Sequence, residues 1–145
     1  VFFKENLNCP FKEIESLVLY LRSRADLIFV DFHAEATSEK AALAYYLDGK
    51  IDALWGTHTH VQTADNRILP KGTAFITDLG FCGALHSCIG VERYTVINHF
   101  LSQMPARFKV ENQYPLVFSG AILTAKKIEG KMSVVGFERV YEVVS

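Results

Sequence analysis

The chain has 145 residues, of which 50% are hydrophobic and 21% are charged, and its formal net charge is −1 at pH 7. This length is enough for one globular domain with a buried core, and the near-neutral charge gives no field that would favour nucleic acid or an anionic membrane. No apolar run approaches the roughly 20 residues that span a bilayer, and no secretory signal is evident, so we expect a cytoplasmic protein with no membrane partner.

The first part of the chain alternates helical and strand-like patterns. Apolar residues at helical spacing and continuous apolar runs predict helix, strand, helix and strand over residues 11–24, 27–30, 37–47 and 51–55. Pro10 is expected to begin the first helix, and Thr37 or Ser38 to cap the second. The two apolar runs are typical of strands that are covered on both faces.

The rest of the chain is richer in strands. We predict strands over residues 67–69, 73–77, 106–110, 116–125 and 132–144, a helix over 92–101 and a loop over 78–90. Ile128-Glu129-Gly130-Lys131 is the expected hairpin turn. Together these patterns predict an α/β fold, in which functional groups collect at the carboxyl ends of the strands.

The N-terminus indicates a part of a longer protein. The chain begins with Val1 rather than Met, and Val1-Phe2-Phe3 is typical of the interior of a strand. The three cysteines are expected to be reduced thiols. Cys82, His86 and Cys88 are close in sequence, but they supply only three ligands at unsuitable spacing, so a loop is a better interpretation than a zinc site.

Three histidines follow predicted strands. His58 and His60 come just after the run 51–55, behind Gly56, which would let the backbone turn sharply, and His33 follows the run 27–30. Imidazoles at the ends of two neighbouring strands can converge on one point, and imidazole favours transition metals over calcium. The alternative is that all three histidines are structural.

Polar residues surround His33 where the strand gives way to the next helix. The N-terminus of that helix, with Thr37 and Ser38, is a natural site for a phosphate group. Asp31 or Glu35 could orient a histidine by hydrogen bonding, or could simply be solvated.

Two blocks, VDFHAEATSEK at residues 30–40 and GTHTHVQTAD at residues 56–65, resemble the bacterial YmdB-like metallophosphoesterases. The resemblance continues through ILPKGTA at 68–74, ITD at 76–78 and GVER at 90–93, and it covers the C-terminal portion of that family's proteins. It implies that residues 1–145 are the C-terminal portion of a single metallophosphoesterase domain, an α/β/β/α sandwich whose N-terminal portion is absent here.

The resemblance also implies an activity and a cofactor. The family hydrolyses 2′,3′- and 3′,5′-cyclic nucleotides at two divalent transition metals, typically iron or manganese. His33 and His58 would serve one metal and His60 the other, while Thr37 and Ser38 would contact substrate. The remaining ligands and the general acid belong to N-terminal blocks without a counterpart here, so no catalytic residue is assigned.

Three interpretations stay open at this point. The chain is a portion of an active phosphodiesterase and inactive alone, or a truncated non-catalytic remnant, or a metal-independent α/β binding module. Partners would be a phosphodiester substrate, the N-terminal portion and, as an open alternative, a second copy of the chain. An isolated portion would expose an edge strand and apolar surface. The loop after Asp78 departs from the family pattern. The resemblance therefore does not imply which nucleotide the protein prefers.

Overall fold

A computed structural model describes residues 8–145, so the strand interior expected at Val1-Phe2-Phe3 lies outside the described part. The helices and strands are α1 (Pro10–Leu21), β1 (Phe29–His33), α2 (Thr37–Leu47), β2 (Ala53–Thr57), β3 (Arg67–Ile68), β4 (Ala74–Ile76), β5 (Gly83–Ala84), α3 (Arg93–Ser102), β6 (Leu116–Ile128) and β7 (Lys131–Val144). Between residues 8 and 145, no helix is long and apolar enough to cross a bilayer.

The strands form two sheets. The first has the order β1-β2-β4-β3, with β1, β2 and β4 parallel and β3 antiparallel to β4. The second is antiparallel, with the order β5-β6-β7. In the first sheet, His33 is paired with Thr57, so the carboxyl ends of β1 and β2 lie side by side. This mixture of parallel and antiparallel sheets with helices confirms the predicted α/β class.

The first sheet is packed on both faces. On one face, Leu54 and Phe75 join a buried cluster with Val18 of α1 and Leu43 of α2. On the other face, residues of β2 and β4 pack against Phe137 of the second sheet. The layers are therefore helices, sheet and sheet. Helix α3 has no buried residue, so its apolar side chains do not contribute to either cluster.

The expectation that the first strand is covered on both faces was wrong. Strand β1 begins at Phe29, later than predicted, and it is an edge strand among the described residues. Phe29 is 46% exposed, because the second sheet packs over β2 and β4 and not over β1. The side chains of Asp31 and His33 are exposed on the same face. This leaves His33 accessible at the sheet edge.

Several predicted boundaries also change. Pro10 begins α1 as predicted, but α1 ends at Leu21. Helix α2 is preceded by Ala36 in an extended conformation, without a side-chain cap, so the predicted cap by Thr37 or Ser38 was wrong.

After α3, the structure differs from the prediction in one segment and matches it in another. Residues 106–110 form no strand, and only Val110 makes a single bridge, to Val91. A strand-like run predicted a strand there, but a strand also needs a neighbour along its length. The predicted hairpin turn is confirmed, with Glu129 at φ 49° and Gly130 at φ 83° between β6 and β7.

Candidate metal centre

The structure brings two of the three predicted ligands together. His33 is the last residue of β1, and His58 directly follows the last residue of β2. His33 Nε2 lies 3.2 Å from His58 Nδ1, and the two rings are nearly perpendicular, with centroids 5.0 Å apart. The parallel register of the two strands therefore aims two imidazole nitrogens at one point.

A hydrogen-bond chain fixes the tautomer of His33. The hydroxyl of Thr57 donates its proton to Asp31 Oδ1 at 3.1 Å, so its oxygen can only accept from His33 Nδ1, also at 3.1 Å. His33 Nδ1 thus carries a hydrogen, and in the neutral imidazole Nε2 has the lone pair. Metal-binding histidines are typically oriented in this way by a partner on the other ring nitrogen. Of the two carboxylates proposed for this role, Asp31 performs it through Thr57.

His60 is oriented separately. Its Nδ1 lies 3.0 Å from the carbonyl oxygen of Ile89, which can only accept, so Nδ1–H donates, and in the neutral imidazole Nε2 has the lone pair. The ring of Phe81 stacks on the imidazole at 6.1 Å between centroids. Within residues 8–145 no group of three His, Cys, Asp or Glu side chains converges closely enough to hold a metal ion. His60 therefore does not complete a site with His33 and His58.

The backbone turn after β2 is made by the histidines themselves. His58 has φ 122° and His60 has φ 61°, a region that L-residues rarely adopt and that is concentrated at functional sites. The expectation that Gly56 makes this turn was wrong. Gly56 lies inside β2, and a Cβ there would be 1.9 Å from the carbonyl oxygen of Thr77. Glycine is needed at this position for close packing of β2 against the residues that follow β4.

A buried ion pair holds residues 58–62, the segment after β2 that we call the histidine loop. Asp78 Oδ2 accepts from Lys40 Nζ at 2.9 Å and from the backbone N–H of Thr59 at 3.0 Å, and Oδ1 accepts from the N–H of Gly80 at 2.9 Å. Lys40 and Asp78 are both fully buried. Burial alone would raise the pKa of Asp78, but the bonds from Gly80, Lys40 and Thr59 together hold it below its ordinary value. Because Thr59 separates His58 from His60, this carboxylate anchors the loop between them.

Sequence reasoning missed this pair. Lys40 stands on the buried face of α2, where a lysine normally signals a partner. Asp78 is the second residue after β4, at the carboxyl end of a central strand. A charged residue on an otherwise apolar helix face, combined with an aspartate after a buried strand, was the available signal.

The end of β4 is braced by a second carboxylate. Asp65 accepts from the hydroxyls of Thr63 and Thr77, from the Thr77 N–H and from Arg67. Burial alone would raise its pKa, but these bonds outweigh burial and lower it. Asp65 therefore fixes the strand end that precedes Asp78.

The remaining predicted residues have no defined role in the structure. Thr37 and Ser38 are the first two residues of α2 and are exposed, so their contact with a phosphate group stays a prediction. Glu35 is exposed in the connection between β1 and α2, and His86 is exposed in the connection after β5.

A cleft of about 430 Å³ adjoins His60. Its walls include Val61 and Gln62 from the histidine loop, Phe81 from the connection after β4, and residues of the second sheet. Gln62 Nε2 donates to two carbonyl oxygens of that sheet, those of Gly120 and Val140, at 2.9 Å each. The histidine loop and the second sheet are thus tied together at the cleft.

Known proteins resemble the chain throughout. The family model for YmdB-like protein matches residues 1–137. The chain is 53% identical over 108 residues to a 2′,3′-cyclic-nucleotide 2′-phosphodiesterase of Bacillus subtilis, an alignment that covers 74% of this chain and 41% of that protein.

Two crystal structures have the same fold. One is of a protein from Thermus thermophilus, with TM-score 0.87, 39% identity and coverage of 99% of this chain and 54% of the other. The second is of a phosphatase from Mycoplasma pneumoniae, with TM-score 0.85, 37% identity and coverage of 99% and 50%. The chain thus spans about half the length of its relatives. With 137 of its 145 residues matched, the chain belongs to the YmdB-like protein family.

Proposed function

We propose that the full-length protein containing this chain is a metal-dependent phosphodiesterase that hydrolyses 2′,3′-cyclic nucleotides. The observation that carries the proposal is the orientation of His33, whose Nε2 lone pair faces His58 because Thr57 and Asp31 fix the other ring nitrogen. The name of the Bacillus subtilis relative, at 53% identity, supports the substrate class. The 3′,5′-cyclic nucleotides are a second substrate that we expect from the family resemblance.

The donor set fits part of a dinuclear centre. In our proposal, His33 Nε2 and His58 Nδ1 hold one divalent transition ion, iron or manganese, and His60 Nε2 holds a second. Such ions supply Lewis-acid stabilisation of phosphoryl oxygens and a hydroxide at neutral pH. Because residues 8–145 offer no third converging ligand, we expect the remaining ligands outside the described residues.

The reaction would be a hydrolysis at phosphorus. A bond forms between the attacking oxygen and phosphorus, the bond from phosphorus to O2′ breaks, and O2′ takes a proton, which leaves a nucleoside 3′-phosphate. The three histidines would position the centre, and the Asp78 carboxylate would hold the loop that carries two of them. The N-terminal turn of α2, with Thr37 and Ser38, would add N–H and hydroxyl donors toward a phosphate oxygen. The general acid is not assigned to a residue of this chain.

The proposal is tested in the full-length protein loaded with Mn²⁺ or Fe²⁺. We expect hydrolysis of 2′,3′-cyclic nucleotides that falls by more than about 100-fold in His33→Ala, His58→Ala and His60→Ala, together with a loss of bound metal. His99→Ala is the matched control, because His99 lies on α3 and bonds to Met104. Full activity or full metal content in the three site variants would contradict the proposal.

A separate hypothesis concerns the chain by itself. Residues 1–145 alone should be inactive and prone to associate, because the described part leaves β1 as an edge and α3 with exposed apolar side chains such as Phe100 and Leu101. Hydrolysis of a generic phosphodiester by this segment with Mn²⁺, if abolished by His60→Ala, would contradict inactivity.

The sequence upstream of Val1 distinguishes an enzyme portion from a remnant. Equal metal binding by wild type and a triple histidine variant would indicate a metal-independent module.

A further inference from the structure

The cleft beside His60 has the size and wall chemistry of a small-molecule site. Its volume of about 430 Å³ falls within the range of about 300–1,000 Å³ that is usual for ligand pockets. Leu85, Ile89 and Val117 give it apolar walls, while His60 is one of the proposed metal ligands. A molecule bound here would therefore lie next to the reaction centre that we propose.

Strand β7 presents two functional side chains to this cleft. Arg139 and Tyr141 both line it, as expected for residues two apart on one face of a strand. Ser119 of β6, which is paired with Tyr141 in the sheet, lines it as well. The second sheet thus contributes a guanidinium, an aromatic ring and a hydroxyl to one wall.

The side chain of Arg139 has no partner in the described part of the fold. Its backbone pairs with Ala121 of β6, but its guanidinium forms no hydrogen bond, ion pair or ring contact with another residue of the described range 8–145. Arg22, Arg24 and Arg67 each have such partners. A guanidinium has five donors in a fixed fork, so an unpaired one in a concave site is suited to a ligand with two adjacent acceptors.

Tyr141 offers a stacking surface. Its side chain is 52% exposed although it lines a cleft, whereas one face of the Phe81 ring is already stacked on His60. Aromatic side chains bind nucleobases in this way, with little dependence on which base is stacked. A second phosphate is less suited to the cleft, because its walls are mainly apolar and Arg139 is the single lysine or arginine among the described lining residues.

We propose that this cleft binds the nucleobase of the cyclic nucleotide, with Tyr141 stacking on the base and Arg139 donating to its acceptor edge. This inference rests on the proposed function. Guanine presents O6 and N7 as adjacent acceptors, the arrangement that an arginine fork matches best. The cleft therefore favours guanosine 2′,3′-cyclic phosphate over the adenosine and cytidine analogues.

The test compares substrates with and without a base in the full-length, metal-loaded protein. Arg139→Ala should raise KM for guanosine 2′,3′-cyclic phosphate about tenfold with little change in kcat, since it removes one bidentate arginine contact to the base. It should change hydrolysis of methyl riboside 2,3-cyclic phosphate, which has no base, less than about twofold. Arg139→Lys should be intermediate, because it keeps the charge and loses the fork.

Variants of Tyr141 and of a control arginine complete the test. Tyr141→Ala should raise KM for all three nucleotides and leave the base-free substrate unchanged, while Tyr141→Phe, which keeps the ring, should behave as wild type. Arg107→Ala is the matched control, because Arg107 is exposed and does not line the cleft. Thermal unfolding of each variant identifies any change that arises from misfolding.

Equal loss on the nucleotide and the base-free substrate would show that Arg139 acts on the phosphate, and would overturn the inference. An unchanged KM for guanosine 2′,3′-cyclic phosphate in Arg139→Ala would overturn it as well. If the wild type hydrolyses none of these substrates, the proposed function fails, and calorimetry with guanosine 3′-phosphate tests the cleft independently. Binding that Arg139→Ala weakens about tenfold would then support the cleft, and equal binding would refute it.

Discussion

The Lys40 ammonium and the Asp78 carboxylate meet at 2.9 Å in the interior, and neither side chain is exposed to solvent. The pair joins helix α2 to the segment that follows β4, and the same carboxylate holds the backbone of Thr59. An uncompensated charge in the interior is costly, so each partner depends on the other. The ion pair therefore links the stability of the fold to the geometry of the histidine loop.

Removing one member of the Lys40–Asp78 pair should destabilise the protein much more than removing both. We expect Asp78→Asn or Lys40→Met to lower the free energy of unfolding of the full-length protein by about 3–5 kcal/mol, because the other charge stays buried. The double variant should recover a large part of this loss. Urea denaturation of the four proteins in a double-mutant cycle measures the coupling.

The exposed ion pair between Lys50 and Glu15 is the matched control. Its atoms are 3.1 Å apart, but the side chains are 44% and 47% exposed. Solvent screens such a pair, so Lys50→Met should leave the unfolding midpoint close to that of wild type. Equal effects at the two pairs would show that burial of the Lys40–Asp78 pair is unimportant.

Asp78 should also shape the response of the protein to acid. Its pKa in the folded state lies below the ordinary value of 3.8, so the unfolded chain binds its proton more readily. By linkage, the stabilisation is complete above that value and is lost as pH falls below it toward the folded pKa. The free energy of unfolding, measured between pH 5 and pH 3, should fall more steeply in wild type than in Asp78→Asn. Asp26→Asn, at an exposed aspartate, should leave the slope as in wild type.

The elements that could be predicted from sequence are those with a strong local signal. Helix α2 matched the predicted bounds because its apolar residues face one buried cluster, and the turn at Glu129 and Gly130 has a characteristic residue pattern. The exposure of β1 could not be predicted, because it depends on which layer covers each strand. The apolar run that begins β1 looks the same in sequence at an edge as in the centre of a sheet.

For the candidate site, the positions of His33 and His58 at neighbouring strand ends could be predicted from sequence, but the orientation of their rings could not. The pairing of His33 with His58 follows from the strand register, which the placement of both after apolar runs suggested. The roles of Thr57 and Asp78 depend on contacts between segments 26 and 38 positions apart in the chain, and no local pattern encodes them. Likewise, only the packing of β2 shows that Gly56 is needed for close approach.

Gly56→Ala should be strongly destabilising. A Cβ at this position would lie 1.9 Å from Thr77 O and 2.6 Å from Lys40 Cδ, and the backbone oxygen cannot move without disturbing β4. We expect a loss of about 3 kcal/mol or more in the free energy of unfolding, or failure to fold. Gly136→Ala is the control, because its Cβ would meet Thr124 at 3.5 Å, an ordinary contact. A mild effect at Gly56, similar to that at Gly136, would contradict the close packing seen here.

Thr57 should control metal affinity without touching the metal. Thr57→Val keeps the shape of the side chain but removes the hydroxyl that accepts from His33 Nδ1 and donates to Asp31. His33 then loses the partner that fixes its tautomer, so we expect Mn²⁺ affinity in the full-length protein to fall by about 10–100-fold.

Thr57→Ser, which keeps the hydroxyl, should bind Mn²⁺ within a few-fold of wild type. Titration calorimetry with Mn²⁺ measures both variants, and thermal unfolding checks that each is folded. Asp31→Ala removes the acceptor of the Thr57 hydroxyl proton, so it should weaken binding in the same direction as Thr57→Val by disturbing the same chain. Unchanged affinity in Thr57→Val would show that His33 is oriented by another contact, and would remove the main structural support for a metal at this strand end.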